Sequence, residues 1–336
     1  MAATIYDVAA LAGVSPATVS RVLNGTAVSP ERAQKVRDAA QALGFRPNRM
    51  ARTLRKGGSE VIALVIPDVE NSFFTALARG VEDRAMAAGY SVVLCNTDEL
   101  VEKEARYLEI AVDEQVAGVV LAAASPEPDL SAVTARRIPV VAVDRPVANG
   151  VVDVLTLDDH GAAVRATRAL QDRGYTLVAC VTGFCDTATA QLRAQGWREA
   201  LAERCPGADA DLYLRHTDYR PGGGRRAAEE LLALPSPPDA IFAANNLLGV
   251  GVLAHLAQSG HRPPDVGLAV LGDLPYPEWE ARDVLVEPWP GRLLGIRAAD
   301  VLLERIRGDA AEPRRVTLRA DQPLDADESS PSVPVS

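Results

Sequence analysis

Hydrophobic positions near the start of the chain recur at the spacing of short amphipathic helices. Thr4 followed three residues later by Asp7 predicts a capped helix start. The apolar set of this first helix is Val8, Leu11 and Ala12, which repeat at helical spacing. Gly13 ends the predicted helix.

Two further helices follow within the first 45 residues. Ser15 and Pro16 are suited to the N-cap and first position of the second helix, whose inward residues are Val19, Val22 and Leu23. Ser29 and Pro30 start the third helix, which ends at Gly44. Its inward-facing residues are Val36, Ala39, Ala40 and Leu43. Two short helices joined by a tight glycine turn are typical of a helix-turn-helix, whose second helix enters the DNA major groove.

From residue 61 onward, apolar runs of strand length alternate with helical patterns. We predict strands over residues 61–66, 91–94, 118–122, 139–143, 177–181, 240–244 and 267–271. Helices are predicted over residues 74–88, 102–114, 160–173, 192–203, 223–234 and 247–259. This alternation indicates parallel sheets with helices on both faces, in which ligands bind beyond the carboxyl ends of the strands.

Polar and aromatic side chains are concentrated just after the predicted strand ends. Carboxylates, amides and guanidinium groups form directed hydrogen bonds, while aromatic rings offer flat apolar faces, so the set suits a sugar or another small polar ring. Taken singly, about half of these residues could be ordinary caps of helices and strands. The set comprises residues 68–74, Asp144, Arg145, Asp158, Asp159, residues 187–193, Asp218, Tyr219, Asn245, Asn246, Asp273 and Trp289.

Charge divides the chain into a basic head and an acidic body. Residues 1–60 hold nine basic and four acidic residues, a net charge of +5, while the whole chain of 336 residues carries −10. This distribution fits a protein that places only its N-terminal head on DNA phosphates.

No apolar run approaches the length of a membrane span, and the four cysteines lack the spacing of metal ligands, namely Cys95, Cys180, Cys185 and Cys205. We therefore expect free thiols, no metal or other cofactor, and a cytoplasmic location.

The helix-turn-helix residues Thr4 to Gly25, followed by Phe45 to Arg55, strongly resemble the N-terminus of the lac repressor (LacI/GalR) family. The resemblance extends to about Leu318 and implies an N-terminal all-α helix-turn-helix head plus an α/β two-lobed periplasmic-binding-protein-like core. The implied domains are a DNA-binding domain (1–46), a hinge helix and linker (47–59) and an effector-binding and dimerisation core (60–322). An acidic, Ser/Pro-rich tail over 323–336 is predicted to be disordered.

The same resemblance implies how the core is divided. Lobe 1 covers about 60–157 and 289–316, and lobe 2 covers about 158–288 and 317–322, with crossings near Asp158, Trp289 and Thr317. Between them, the positions that match effector contacts of the family are Phe73, Phe74, Asp144, Arg193, Tyr219, Asn245 and Trp289. Arg145 is a further candidate. Where the family reads Gly-aromatic-Asp-Asp, this chain reads Val270-Leu271-Gly272-Asp273, so either Gly272 replaces the first Asp or a deletion brings Asp273 into its place.

Candidate DNA contacts lie on the second helix and in the hinge. Arg21 is suited to bidentate recognition of guanine, Pro16 and Ala17 to apolar contacts, and Thr18, Ser20 and Asn24 to phosphates. Ser15, the helix cap, is a further candidate DNA contact. In the family, paired hinge helices enter the minor groove and a leucine wedges into the central base step, which implies Leu54 here. The other hinge candidates are Asn48 as helix cap, Arg49, Arg52 and Arg55. Leu54 could instead be a packed linker residue.

These features favour a repressor that binds double-stranded DNA under the control of a small, sugar-like effector. Because the tail has no leucine heptads, we expect a homodimer on a pseudopalindromic operator, with no membrane partner. The alternatives are a regulator that senses a nucleobase or nucleoside, or a binding receptor without DNA function. An enzyme is disfavoured, because the four histidines are scattered and no nucleophile or metal motif is present.

Overall fold

The computed structural model of the chain describes residues 3–23, 28–45, 59–148, 150–274 and 283–319. These residues form two compact units that divide between Ser59 and Glu60. The predictions made for Asn24, for the hinge residues Asn48 to Arg55 and for the tail lie outside the described residues.

The N-terminal unit contains α1 (Ile5–Ala12), α2 (Pro16–Leu23) and α3 (Pro30–Ala42). The predicted capping box is confirmed, since the Thr4 hydroxyl accepts a hydrogen bond from the Asp7 N–H and the Asp7 carboxylate accepts one from the Thr4 N–H. Gly13 closes α1 with φ of 65°, and the Ser15 hydroxyl caps α2 by accepting from the Thr18 N–H at 3.2 Å. A small core of alanine and valine side chains, with Val8, Val19 and Val36 fully buried, holds the three helices together.

Three local expectations for this unit are wrong. Leu11 and Leu43, predicted to face inward, are exposed. In α1 the inward position is taken by Ala9, one turn before Gly13, so the helix is rotated from the orientation that the leucine spacing indicates. Ser29 lies at the N-cap of α3 but its side chain makes no capping hydrogen bond.

The second unit contains eleven described strands in two entirely parallel sheets. The strands are β1 (Val61–Ile66), β2 (Ser91–Asn96), β3 (Gly118–Leu121), β4 (Val140–Val143), β5 (Asp153–Leu157), β6 (Val178–Thr182), β7 (Leu214–His216), β8 (Ala240–Ala243), β9 (Gly267–Leu271), β10 (Val284–Glu287) and β11 (Arg315–Leu318). The first sheet has the order β11-β5-β4-β3-β1-β2 and the second the order β10-β9-β8-β6-β7.

Helices cover these sheets and complete two lobes. They are α4 (Ser72–Ala87), α5 (Val101–Asp113), α6 (Ser131–Ala135), α7 (Asp159–Asp172), α8 (Ala188–Arg204), α9 (Pro221–Leu232), α10 (Asn246–Gln258) and α11 (Gly291–Ile306), with a 3-10 turn over Ala210–Tyr213. The first lobe buries separate apolar clusters against α4 and α11 and against α5 and α6. The second lobe is built around the fully buried Trp197, whose indole N–H donates to the Val178 carbonyl at 2.9 Å.

The chain passes from the first lobe to the second at Asp158, directly after β5, and returns at Trp289, two residues before the start of α11. The assignment of Thr317 and Leu318 to the second lobe is wrong, and a crossing beyond them lies outside the described residues, which end at residue 319. Thr317 lies within β11 and pairs with Thr156 of β5, and the strand remains in the first sheet through Leu318. All seven predicted strands are present, whereas β5, β7, β10, β11 and the helices α6 and α11 were not predicted.

Close contacts between helix backbones depend on glycine. A Cβ on Gly80 of α4 would lie 2.3 Å from the Arg292 carbonyl oxygen, and one on Gly295 of α11 would lie 2.1 Å from that of Leu77. In the second lobe, Gly224 of α9 and Gly251 of α10 have the same reciprocal relation. Such distances leave no room for any side chain, so these glycines fix the separation of each helix pair.

In the described part of the chain, no helix is both long and apolar enough to cross a bilayer. All four cysteines are free thiols, and Cys95 and Cys180 are buried within the sheets as expected.

Candidate functional site

A cavity of about 390 Å³ lies between the two lobes of the second unit, at the carboxyl ends of both sheets. Parallel strands place the loops that follow them at one edge, which is why residues distant in sequence converge here. The structure brings together around this cavity all nine predicted ligand residues: Phe73, Phe74, Asp144, Arg145, Arg193, Tyr219, Asn245, Asp273 and Trp289.

Aromatic rings form an apolar wall of the cavity. Phe73 and Phe74 begin α4 and meet edge to face at 5.0 Å, and Phe73 lies 6.4 Å from Trp289 at the crossing between lobes. On the side of the second lobe, the Tyr219 hydroxyl lies 3.3 Å from the Thr189 hydroxyl. The Tyr219 ring packs directly on Gly183, where a Cβ would come within 1.9 Å of it. These rings offer the flat faces that a sugar or heterocycle requires.

Arg193 is held at the floor of the cavity by a buried ion pair. Its Nε donates to the Asp159 carboxylate at 2.7 Å and its Nη1 to the Ala244 carbonyl at 2.7 Å, while the guanidinium carbon lies 5.1 Å from the ring centre of Trp289. Burial raises the pKa of Asp159 to about 7, and the positive charge of Arg193 opposes that rise. The helix start at Asp159 and the turn before Arg193 thus fix a guanidinium against an aromatic face.

Arg145 is fixed in the first lobe by a carboxylate that was not predicted as a site residue. Its Nη1 and Nη2 donate to the two oxygens of Glu99 at 2.6 and 2.7 Å, and Nη1 also donates to the Ala123 carbonyl at 3.0 Å. Burial disfavours the charge on Arg145, but the Glu99 carboxylate outweighs it and holds the pKa above its usual range. Glu99 was missed because β2 extends two residues beyond the predicted strand end, to Asn96, which puts Glu99 just after it.

Asp144 lines the cavity in an unusual backbone conformation. It is 5% exposed and has φ of 65°, in the left-handed region that few residues other than glycine, asparagine and aspartate adopt. Burial raises the pKa of its carboxyl group. The nearest cationic atom, Arg145 Nε, lies 3.8 Å away, beyond hydrogen-bond distance. In the described part of the chain no side chain or backbone group donates a hydrogen bond to this carboxylate.

Direct contacts also join the lobes across the cavity. The Asn246 amide donates to the Ser72 hydroxyl at 2.6 Å, and Arg220 pairs with Asp68 at 3.1 Å and with Glu70 at 2.8 Å. Burial raises the pKa of Asp68, and the Glu70 N–H and Arg220 act against it. These contacts connect the β1–α4 loop of the first lobe with helix starts of the second, so they hold the cavity in a closed arrangement.

The segment Gly272-Asp273, where two alternatives were open, contributes both residues to the cavity wall. Gly272 has φ of 86° and donates its N–H to the Glu287 carbonyl. It can present only backbone to a ligand, so the carboxylate available at this strand end is that of Asp273. Asn245 caps α10 through its side-chain oxygen, which accepts from the Leu248 N–H at 2.7 Å and leaves its amide N–H groups for other partners.

On the N-terminal unit, α2 presents Pro16, Ala17 and Arg21 to solvent, with Ser15 exposed before it and Thr18 and Ser20 half-buried. The Thr18 hydroxyl lies 3.0 Å from that of Ser15. Arg21 is thus the exposed cation on the face predicted to enter DNA. Among the described residues, no group of three His, Cys, Asp or Glu side chains is arranged to hold a metal ion.

Comparison with known proteins relates both units to bacterial regulators. Residues 4–48 match the family described as bacterial regulatory proteins, lacI family, and residues 59–324 match periplasmic binding proteins and sugar binding domain of LacI family. The ribose operon repressor of Escherichia coli K12 is 33% identical over 324 residues, covering 94% of this chain and 97% of that protein. The HTH-type transcriptional repressor PurR of Vibrio cholerae is 31% identical over 318 residues, covering 94% of each. A solved structure of the transcriptional regulator CelR in complex with cellobiose superposes with a TM-score of 0.69 at 30% identity, covering 94% of this chain and 97% of that one.

Proposed function

The chain belongs to the LacI family of bacterial regulatory proteins, and we propose that it is a transcriptional repressor controlled by a small molecule bound between its two core lobes. The observation that carries this proposal is the interlobe cavity, which gathers nine strand-end side chains in a chain that begins with a helix-turn-helix. A ligand that prefers one arrangement of the lobes changes the affinity for DNA by the same factor by which DNA changes the affinity for the ligand.

A sugar or sugar derivative is the effector that fits the cavity best. Fixed polar groups alternate with the flat faces of Phe73 and Trp289, and the volume of about 390 Å³ accommodates a small ligand. Similarity to the ribose operon repressor and to the CelR–cellobiose complex, both named after a sugar, supports a sugar as the effector. A nucleobase or nucleoside is the second candidate, because the same aromatic wall can stack on a planar heterocycle.

We assign DNA contact to the head and the hinge of a homodimer on a pseudopalindromic operator. Arg21, Pro16 and Ala17 face base edges, and the polar residues around them contact phosphates. Leu54 is assigned as the minor-groove wedge on the basis of the sequence alone. A regulator of this family is not an enzyme, and since its target is bacterial DNA we place it in the cytoplasm.

Selection of binding sites from random double-stranded DNA tests the proposal. We expect the full-length protein to enrich a site with two inverted half-sites, and we expect one effector class to change the affinity for that site. A panel of sugars, nucleobases and nucleosides then separates the two effector candidates. Failure to enrich any sequence would reject the proposed function.

Arg21→Ala is expected to remove discrimination at one base pair in each half-site, weakening binding to the preferred sequence by about 1–3 kcal/mol. The reason is that Arg21 is the long hydrogen-bonding side chain exposed on α2, and a truncated side chain cannot reach the guanine edge. Repeating the site selection with the variant measures the effect as a loss of preference at that position.

Arg37→Ala is the matched control for Arg21. Arg37 is also an exposed cation of the N-terminal unit, but it lies on α3 and contacts the Gln34 side chain. We expect this variant to leave the selected consensus unchanged. An unchanged consensus for Arg21→Ala as well would show that Arg21 does not read a base.

A further inference from the structure

We infer that the effector is an electrically neutral, hydroxyl-bearing molecule and that Asp144 is the residue that excludes its phosphorylated or carboxylated counterparts. This inference rests on the proposed function and narrows the ligand class of the same cavity. It follows from how the charges around the cavity are paired.

The guanidinium groups of the cavity wall are already engaged by protein groups. Arg145 gives both terminal nitrogens to Glu99, and Arg193 gives Nε and Nη1 to Asp159 and the Ala244 carbonyl. At the rim, Arg292 pairs with Asp83 at 2.7 Å. Bidentate recognition of a phosphate or carboxylate needs two parallel N–H groups of one guanidinium, so an anionic ligand bound at Arg145 or Arg193 would have to break one of these buried pairs. Arg292 gives only Nη2 to Asp83 and is exposed to solvent, so its charge is screened.

One nitrogen remains for a ligand on the second lobe. In the described part of the chain, Nη2 of Arg193 has no hydrogen-bond partner, although the other nitrogens of this guanidinium are fixed. A single fixed nitrogen suits one hydroxyl or carbonyl oxygen. The positive charge of Arg193 is already compensated by Asp159, so this nitrogen does not balance the charge of a phosphate group with two ionised oxygens.

The carboxylates, in contrast, are in excess. Glu99 and Asp68 have cationic partners, but Asp144 has none within hydrogen-bond distance and no ion pair to Asp273 is formed among the described residues. Asp144 is buried against the cavity, where an anion brought close to it would meet a like charge in a poorly solvated site. Ligand hydroxyl groups would instead donate to its two unoccupied oxygens.

The backbone conformation at Asp144 allows a substitution that tests whether its carboxylate accepts ligand hydroxyl groups and repels anions. Its φ of 65° is tolerated by asparagine about as well as by aspartate, so Asp144→Asn removes the charge while keeping the shape and the backbone conformation. Asp211→Asn is the matched control, because Asp211 is an exposed carboxylate of the second lobe, paired with Arg198 and remote from the cavity wall.

The experiment measures binding of matched ligand pairs to the full-length protein by thermal shift and calorimetry. The probes are D-ribose and D-ribose 5-phosphate, D-glucose, D-glucose 6-phosphate and D-glucuronate, cellobiose and cellobionate, and nucleosides with their 5′-monophosphates. We expect binding only from neutral members of the panel, with the anionic counterpart of the bound compound at least about tenfold weaker. Asp144→Asn should lower the affinity for the neutral ligand about tenfold and reduce its preference over the anionic counterpart, and Asp211→Asn should change neither.

Tight binding of an anionic member, or no binding by any neutral member, would overturn the inference. An unchanged neutral-to-anionic ratio in Asp144→Asn would remove the role assigned to Asp144. The proposed function fails separately, in the DNA assay: a neutral ligand that binds without altering operator affinity refutes ligand control, whereas an anionic ligand that alters it refutes only the present inference.

Discussion

Replacement of Arg193 by alanine is expected to lower the free energy of unfolding by about 3–5 kcal/mol and to leave operator binding unresponsive to the effector. Arg193 is 5% exposed, and its removal leaves the Asp159 carboxylate and the Ala244 carbonyl buried without their donor. The variant also loses the guanidinium that lies against Trp289. Chemical denaturation gives the stability change, and operator binding with and without effector gives the loss of control.

The Arg193→Ala variant should also acquire a characteristic dependence on pH. Burial already raises the pKa of Asp159 to about 7, and without Arg193 no group of the described residues at hydrogen-bond distance opposes that rise. A carboxyl group whose folded pKa lies above its unfolded pKa stabilises the fold at low pH, and this stability is lost as the pH rises through the folded value. The deficit relative to the wild type should therefore be smaller at pH 5 than at pH 8, and Asp159→Asn in the same background should abolish this difference.

Arg198→Ala provides the control for the Arg193 result. Arg198 lies in the same helix, α8, but its partner Asp211 is exposed, and exposed pairs of this kind contribute about 0–1 kcal/mol. Equal losses in the two variants would mean that the burial of the Arg193–Asp159 pair has no energetic consequence.

Six of the seven strands that the sequence predicted are buried on both faces, and the seventh, β2, is a largely exposed edge strand with an apolar sequence. β1, β3, β4, β6, β8 and β9 are continuous apolar runs, because helices cover both sides of a parallel sheet. β7, β10 and β11 lie at sheet edges and are short or half-exposed, so their hydrophobic pattern is weak. β5 is internal but begins with Asp153, whose charge is compensated by Arg305 of α11 at 2.8 Å, a pairing invisible in the local pattern.

The sequence predicted which residues line the cavity, but not how their charged groups pair with one another. Residues that follow parallel strands must converge at one edge, so Asp144 and Asn245 could be placed together from the order of the elements alone. The sequence does not indicate which carboxylate pairs with which guanidinium. Glu99 takes the terminal nitrogens of Arg145 and leaves Asp144 without a hydrogen-bond donor among the described residues, and that outcome depends on loop geometry over tens of residues.

Gly80→Ala is expected to destabilise the protein by about 3 kcal/mol, opposite in sign to the usual effect of this substitution in a helix. Within a helix interior, alanine normally stabilises by about 0.5–1 kcal/mol relative to glycine. Here the added methyl group would lie 2.3 Å from the Arg292 carbonyl oxygen and 2.9 Å from the Ile296 nitrogen. Both are backbone atoms of α11, so the two helices must separate.

Separation of α4 and α11 should also displace the aromatic rings that line the cavity, so the substitution should affect ligand binding as well as stability. Phe73 begins α4, its carbonyl oxygen lies 2.6 Å from the position of a Cβ on Gly291, and Trp289 lies two residues before the start of α11. We therefore expect Gly80→Ala to weaken effector binding as well as lower the midpoint of urea denaturation. Gly222→Ala, at a helical position whose nearest added contact is a flexible side chain at 3.5 Å, should be neutral or slightly stabilising. A stabilised Gly80→Ala variant would show that α4 and α11 can separate at no cost, and the glycine contacts would then not fix the cavity wall.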